Sequence, residues 1–192
     1  MQSGDVDAVG RWLQSAIGVP FVVVGGSAIE RVASVTTKDV DVLIEASDRA
    51  AVDSALESRR DASPLDPATG SIRATVLSIG GANIDLEFIS GGPFSGRYGP
   101  GSFGRYVREH GSVVYDGVRY ASPGVVFYMR INSPDDWRLY VSAIERDLRA
   151  GVPERTLDEA ARIADRFGVG PRVRERIKSL RAKLRGFDPR RE

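Results

Sequence analysis

Cysteine is absent from the 192 residues, and histidine occurs once, as His110. A disulfide framework, a thiolate metal site and a histidine-based metal cluster are thereby excluded. No apolar run approaches the roughly 20 residues that a membrane span needs. No basic N-terminal segment leads into an apolar stretch of the secretory kind, so the chain reads as unexported and cytoplasmic. The phosphate-binding pattern G-x-x-x-x-G-K-[ST] is missing, and no strand is followed by G-x-G-x-x-G, which removes the P-loop and dinucleotide-fold readings. There is no internal repeat or low-complexity tract.

What remains is an ordinary globular composition, 42% hydrophobic and 28% charged, with a net charge of +1. The charge is unevenly spread. From Arg172 to Glu192 nine basic residues face three acidic ones, leaving the rest of the chain slightly acidic. Such a tail suits either a solvated helix face or an anionic partner.

Apolar periodicity organises the chain into an α+β half, residues 1–121, and a helical region, residues 122–192. Val6, Val9, Leu13 and Ile17 predict a helix over Asp5–Ile17, ended by Gly18 and Pro20. Phe21–Val24 reads as a buried strand, and Ser27 as the cap of a short helix reaching Arg31. Val40–Ile44 is the next strand and Ser47–Ser58 a helix. Ile72–Ile79 and Ala82–Ile89 predict a hairpin about Gly80-Gly81, and Asp116-Gly117 a second small hairpin. Ser90–Tyr106, with six glycines and two prolines, reads as irregular. Helices follow over Pro123–Ile131, Pro134–Arg149, Thr156–Phe167 and Pro171–Leu184.

The chemistry concentrates in "FVVVGGSAIERVASVTTKDVDVLIE", Phe21 to Glu45. Gly25 and Gly26 let backbone approach a ligand where a side chain would collide. Ser27 and the amides after it open a helix, where unpaired N–H groups favour phosphate. On the following strand Asp39 and Asp41 share a face by period-two alternation. Two carboxylates so placed can grip one hard divalent cation, or two neighbouring ones. A phosphate cradle beside paired carboxylates suits phosphoryl or nucleotidyl transfer.

These residues resemble the signature of the DNA polymerase β-like nucleotidyltransferase superfamily, apolar–Gly–Gly/Ser and then Asp–apolar–Asp. Gly25, Gly26, Ser27, Asp39 and Asp41 match it, and the resemblance covers roughly Phe21 to Ser90. It implies a mixed β-sheet flanked by helices, and transfer of a nucleoside monophosphate from an NTP to an acceptor hydroxyl with Mg²⁺ or Mn²⁺. By the same resemblance Asp39 and Asp41 hold the metals, and a third carboxylate on a later strand completes the set. "ANIDLEFIS" offers Asp85 and Glu87, of which Asp85 is the closer match. Gly26 and Ser27 would hold the β- and γ-phosphates. Arg130 stands where toxin-like members often carry a lysine, and reads either as a phosphate partner or as a core-helix arginine reaching the surface. The minimal and AbiEii-like members also imply an RNA or tRNA end, or a protein hydroxyl, as acceptor, and an antitoxin protein as partner. A small-molecule acceptor of the aminoglycoside type, with Asp135 and Asp136 in its pocket, is a second reading. A non-catalytic nucleotide-binding module is a third.

Residues outside the motif also have candidate roles. Arg31 and Lys38 read as phosphate neutralisers or solvated surface. Phe94, Tyr98, Phe103 and Tyr106, interleaved with Arg97 and Arg105, would stack bases or pack the loop itself. In the tail, Val173, Ile177, Leu180 and Leu184 form an apolar stripe. Arg174, Lys178, Arg181 and Arg185 form a basic one suited to an RNA backbone.

Overall fold

The computed structural model describes residues 3–37, 39–56, 72–79, 82–89, 103–133 and 137–185. Six strands form one mixed sheet: β1 (Phe21–Val24), β2 (Asp39–Glu45), β3 (Ile72–Ile79), β4 (Ala82–Ile89), β5 (Ser112–Tyr115) and β6 (Val118–Ala121). Their order is β3-β4-β2-β1-β6-β5. β2 runs antiparallel to β1 and parallel to β4, and β1 runs parallel to β6. The two edge pairs, β3 with β4 and β5 with β6, are antiparallel hairpins. In the second of these Asp116 and Gly117 both have positive φ, the backbone that a two-residue turn needs to match the twist of its strands.

Helices surround this sheet: α1 (Ser3–Ile17), α2 (Gly25–Ile29), α3 (Arg49–Leu56), α4 (Phe103–Glu109), α5 (Pro123–Asn132), α6 (Val141–Arg149), α7 (Thr156–Arg166) and α8 (Gly170–Arg185). Alternation along β2 buries Val40, Val42 and Ile44 on one face, continued by Ile84 and Leu86 of β4. α4 lies against β1, β2, β5 and β6, and α5 packs on α2, α7 and α8. Ser122 caps α5 by accepting from the Val125 amide at 3.3 Å, with Pro123 opening the helix. A mixed sheet flanked by helices is the architecture that the resemblance implies, and the helical region follows it where the periodicity places it. One cluster of buried apolar residues runs from Val6 on α1 to Leu180 on α8, across the expected boundary after Ala121.

Four expectations need correction. Residues 103–106 are helical, because Phe103 and Val107, one turn apart, are fully buried and hold α4 in place despite the glycines around it. The single helix expected over residues 134–149 is a 3-10 turn, Trp137–Tyr140, followed by α6. The helix expected over residues 47–58 begins as a 3-10 turn, Ala46–Asp48, that leads into α3. Ser27 does not cap α2. The helix starts two residues earlier with Val24 as its cap, and the Ser27 side chain is wholly buried within it.

Candidate active site

The sheet register brings the sequence motif together. Asp41 lies opposite Val24, the last residue of β1, and on its other side opposite Asp85 of β4. Partners in a parallel pair share a face, so Asp41 and Asp85 project side by side, with Asp39 two residues along β2. Asp39 is exposed, while Asp41 and Asp85 are half-buried. The register also separates the two choices for a third carboxylate. Glu87 pairs with Leu43, a buried residue, and with Arg73 of β3, so its strand position lies one step further from the β1–α2 turn than that of Asp85.

At that turn Gly25 has φ +64°, a left-handed conformation that disfavours any side chain. A Cβ there would overlap Asp41 Oδ2, so the carboxylate occupies the space that the glycine leaves open. A Cβ on Gly26 would overlap Thr37 Cγ2 in the same way. Absent side chains at 25 and 26 thus let the turn close onto β2.

Partly buried hydrogen bonds then lock α2 to the start of β2. Ser27 Oγ donates to the Asp39 carbonyl at 2.7 Å, and this uses its one proton. Thr37 Oγ1, at 3.2 Å, is therefore the donor to Ser27. Ser27 thus anchors the start of β2 to α2.

Other expected residues sit elsewhere. Arg130 lies at the inner end of α5 with its Nη1 donating to Asp147 Oδ2 at 2.5 Å, and Asp147 on α6 is fully buried. The guanidinium thus joins α5 to α6 through a buried ion pair. Arg31 is largely shielded from water. It is ion-paired with Asp7 of α1 and lies 4.9 Å over the Tyr120 ring, while Tyr120 donates to Asp7 at 2.5 Å. Phe103 is wholly buried, and Tyr106 stacks edge-on against Phe167, so both pack the interior. His110 is exposed directly after α4. The side chains of Lys38, Glu87, Phe94, Arg97, Tyr98, Asp135 and Asp136 lie outside the described residues.

On α8 the apolar stripe is core: Val173, Ile177 and Leu180 are buried. The basic stripe is partly committed within the chain. Arg174 pairs with Asp165, and Arg181 pairs with Glu154 at 3.1 Å and Asp158 at 2.9 Å. The bond to Asp158 holds the Arg181 guanidinium above its ordinary pKa.

Among the described residues no three His, Cys, Asp or Glu side chains gather into a metal cage. Magnesium seldom uses one. It binds through one or two carboxylates together with substrate phosphates and water. Asp41 and Asp85, adjacent across two strands, supply the hard oxygen ligands for that mode, and Asp39 offers another at the strand entrance. The donor set therefore fits a metal delivered with a triphosphate.

No family model matches the chain, and no curated protein does. Among solved structures it is similar to the antibiotic-resistance factor ANT(2'')-Ia in solution, at 14% identity and a TM-score of 0.49, over 97% of this chain and 96% of that one. The same factor in complex with adenylyl-2''-tobramycin aligns at 14% identity and a TM-score of 0.44, over 94% and 99%. An antigenic nucleotidyltransferase-like protein from Paracoccidioides brasiliensis aligns at 15% and 0.44, over 92% and 91%. At such identities and scores these similarities assign no substrate to the chain.

Proposed function

We propose that the chain is a Mg²⁺-dependent nucleotidyltransferase that moves a nucleoside monophosphate from an NTP to an acceptor hydroxyl. The observation that carries this reading is the register Val24–Asp41–Asp85. It sets two carboxylates from different strands beside the glycine turn at the end of β1. Asp39, Asp41 and Asp85 would hold the metal, which supplies charge stabilisation at the reacting phosphorus. The Gly25-Gly26 turn, closed onto β2, would offer its backbone N–H groups to the phosphates. Asp85 takes the proton of the acceptor hydroxyl as its oxygen bonds the α-phosphorus. The bond from that phosphorus to the β-phosphate oxygen breaks, and pyrophosphate leaves.

The acceptor hydroxyl is that of an RNA end or a protein. Lys178 and Arg185 stay exposed on α8 to meet a polyanion, although Arg174 and Arg181 are paired within the chain.

Incubation with each α-³²P-labelled NTP, Mg²⁺ or Mn²⁺, and total RNA or lysate protein tests the reading. Label should enter one macromolecular class and be lost in the Asp39→Ala/Asp41→Ala variant. Persistence of label in that variant would sink the assignment of the carboxylates. Label found only in small molecules would replace the acceptor class and leave the chemistry standing.

A further inference from the structure

Beyond the residues that would touch metal or nucleotide, we propose that Thr37 and Glu30 are positioning residues. Together they form a partly buried brace that sets β2 and its carboxylates against the glycine turn. The proposal rests on the nucleotidyltransferase reading for its functional meaning, and on the hydrogen bonds alone for its existence.

Glu30 directly follows α2 and is 9% exposed. Its Oε1 accepts the backbone N–H of Thr37, and its own N–H donates to the Gly26 carbonyl at 3.0 Å. The Thr37 hydroxyl donates to Ser27, and Ser27 donates to the carbonyl of Asp39. Both ends of the segment 30–37 are thus tied to α2. The final bond of the chain falls on the backbone of the first strand carboxylate. The Thr37 methyl fills the space beside Gly26, so the threonine meets the turn through both branches of its side chain.

A brace that served only to close a loop would not need a carboxylate. Burying one is costly unless its oxygens are bonded, and Glu30 Oε2 is buried with no partner among the described residues. An uncharged side chain could accept the Thr37 amide at lower cost. What the carboxylate adds is a strong acceptor that fixes the backbone just before Asp39. Asp41 is then held two residues further along the same rigid strand. A shift of β2 along its axis would carry Asp41 away from both Gly25 and Asp85, so the brace sets the spacing on which the proposed site depends.

The test uses the full chain and two readouts. Thr37→Val keeps the shape and removes the hydroxyl, Thr37→Ser restores the hydroxyl, and Glu30→Met keeps volume and removes the acceptor. In the nucleotide-free protein, amide hydrogen exchange should quicken over residues 25–29 and 39–41 in Thr37→Val and Glu30→Met. It should return toward the parent in Thr37→Ser and stay unchanged in α7 and α8. The affinity for Mn²⁺ with ATP, read by electron paramagnetic resonance, should fall about 10- to 100-fold in the same two variants. Thr37→Ser should recover it. Unchanged exchange at the turn, or exchange quickened equally throughout the molecule, overturns the brace. Local quickening with unchanged Mn²⁺ affinity overturns its positioning role. If the parent binds Mn²⁺ with none of the four NTPs, the nucleotidyltransferase reading falls, and the exchange pattern still decides whether the brace exists.

Discussion

At residue scale the site depends on where side chains are missing as much as on where carboxylates stand. Gly25 pairs a left-handed backbone with a carboxylate packed where its Cβ would be. Alanine there should cost about 1–2 kcal/mol in backbone strain, and it would also push Asp41 out of line with Asp85. Gly25→Ala is therefore expected to lower the thermal midpoint modestly and to abolish nucleotide transfer. A variant that transfers at the parent rate would show that the Asp41 position is not critical. Asp85→Asn removes the proposed proton acceptor but keeps the shape, and should cost about 10²–10⁴ in kcat. Glu87→Gln, two residues further along the strand, should cost far less. Initial rates of label incorporation for the two variants, side by side, check the choice between these carboxylates.

Among the elements, α5 and α6 are joined by Arg130 and Asp147. Asp147 has both oxygens engaged, by Arg130 at 2.5 Å and by Arg146 at 2.8 Å, and has no exposure to water. Removing one partner of a buried pair leaves an uncompensated charge. Arg130→Met should therefore cost on the order of 3 kcal/mol, seen as a lower urea midpoint, with Arg146 limiting the loss. An unchanged midpoint would argue that water reaches Asp147.

The strands were legible in the sequence because period-two alternation and Gly-containing turns are local signals. β1, β3 and β4 have the expected bounds, and β2 extends by one residue at each end. The motif residues Asp39, Asp41 and Asp85 were legible because acids interrupt otherwise apolar strands. What sequence could not reveal is long-range pairing. Arg31 looked solvated because its partner Asp7 and the Tyr120 ring reach it from α1 and β6. Ser27 looked like a cap because a serine after two glycines has that local meaning. Its hydroxyl instead answers a carbonyl twelve residues later. The signal for α4 was present in Phe103 and Val107, four apart, but glycines and prolines upstream masked it.

For the whole molecule, aromatic hydroxyls buried in the core link stability to pH. Tyr106, Tyr120 and Tyr128 are all pushed above their ordinary value of 10, in each case chiefly by burial. In the unfolded chain these phenols lose their protons near pH 10, whereas in the folded protein they keep them. The unfolded state therefore binds fewer protons above pH 10, and stability falls as pH rises past that point. Below it their contribution is fully present. The midpoint of thermal unfolding should be flat with respect to these groups between pH 7 and 9 and should drop above 10. The drop should be shallower in Tyr128→Phe, and equal slopes in variant and parent would contradict the assignment.

The continuous core across both halves of the chain also makes the two tryptophans useful as optical reporters. Trp12 packs against the core from α1, and Trp137, beneath the Arg176 guanidinium at 5.5 Å, faces α8. Each half thus carries its own fluorophore, and Trp12→Phe and Trp137→Phe leave one in place at a time. With one apolar core shared by the described residues of both halves, the two emission curves in urea should superimpose, so α8 and the strands that bear the carboxylates melt as a single cooperative unit.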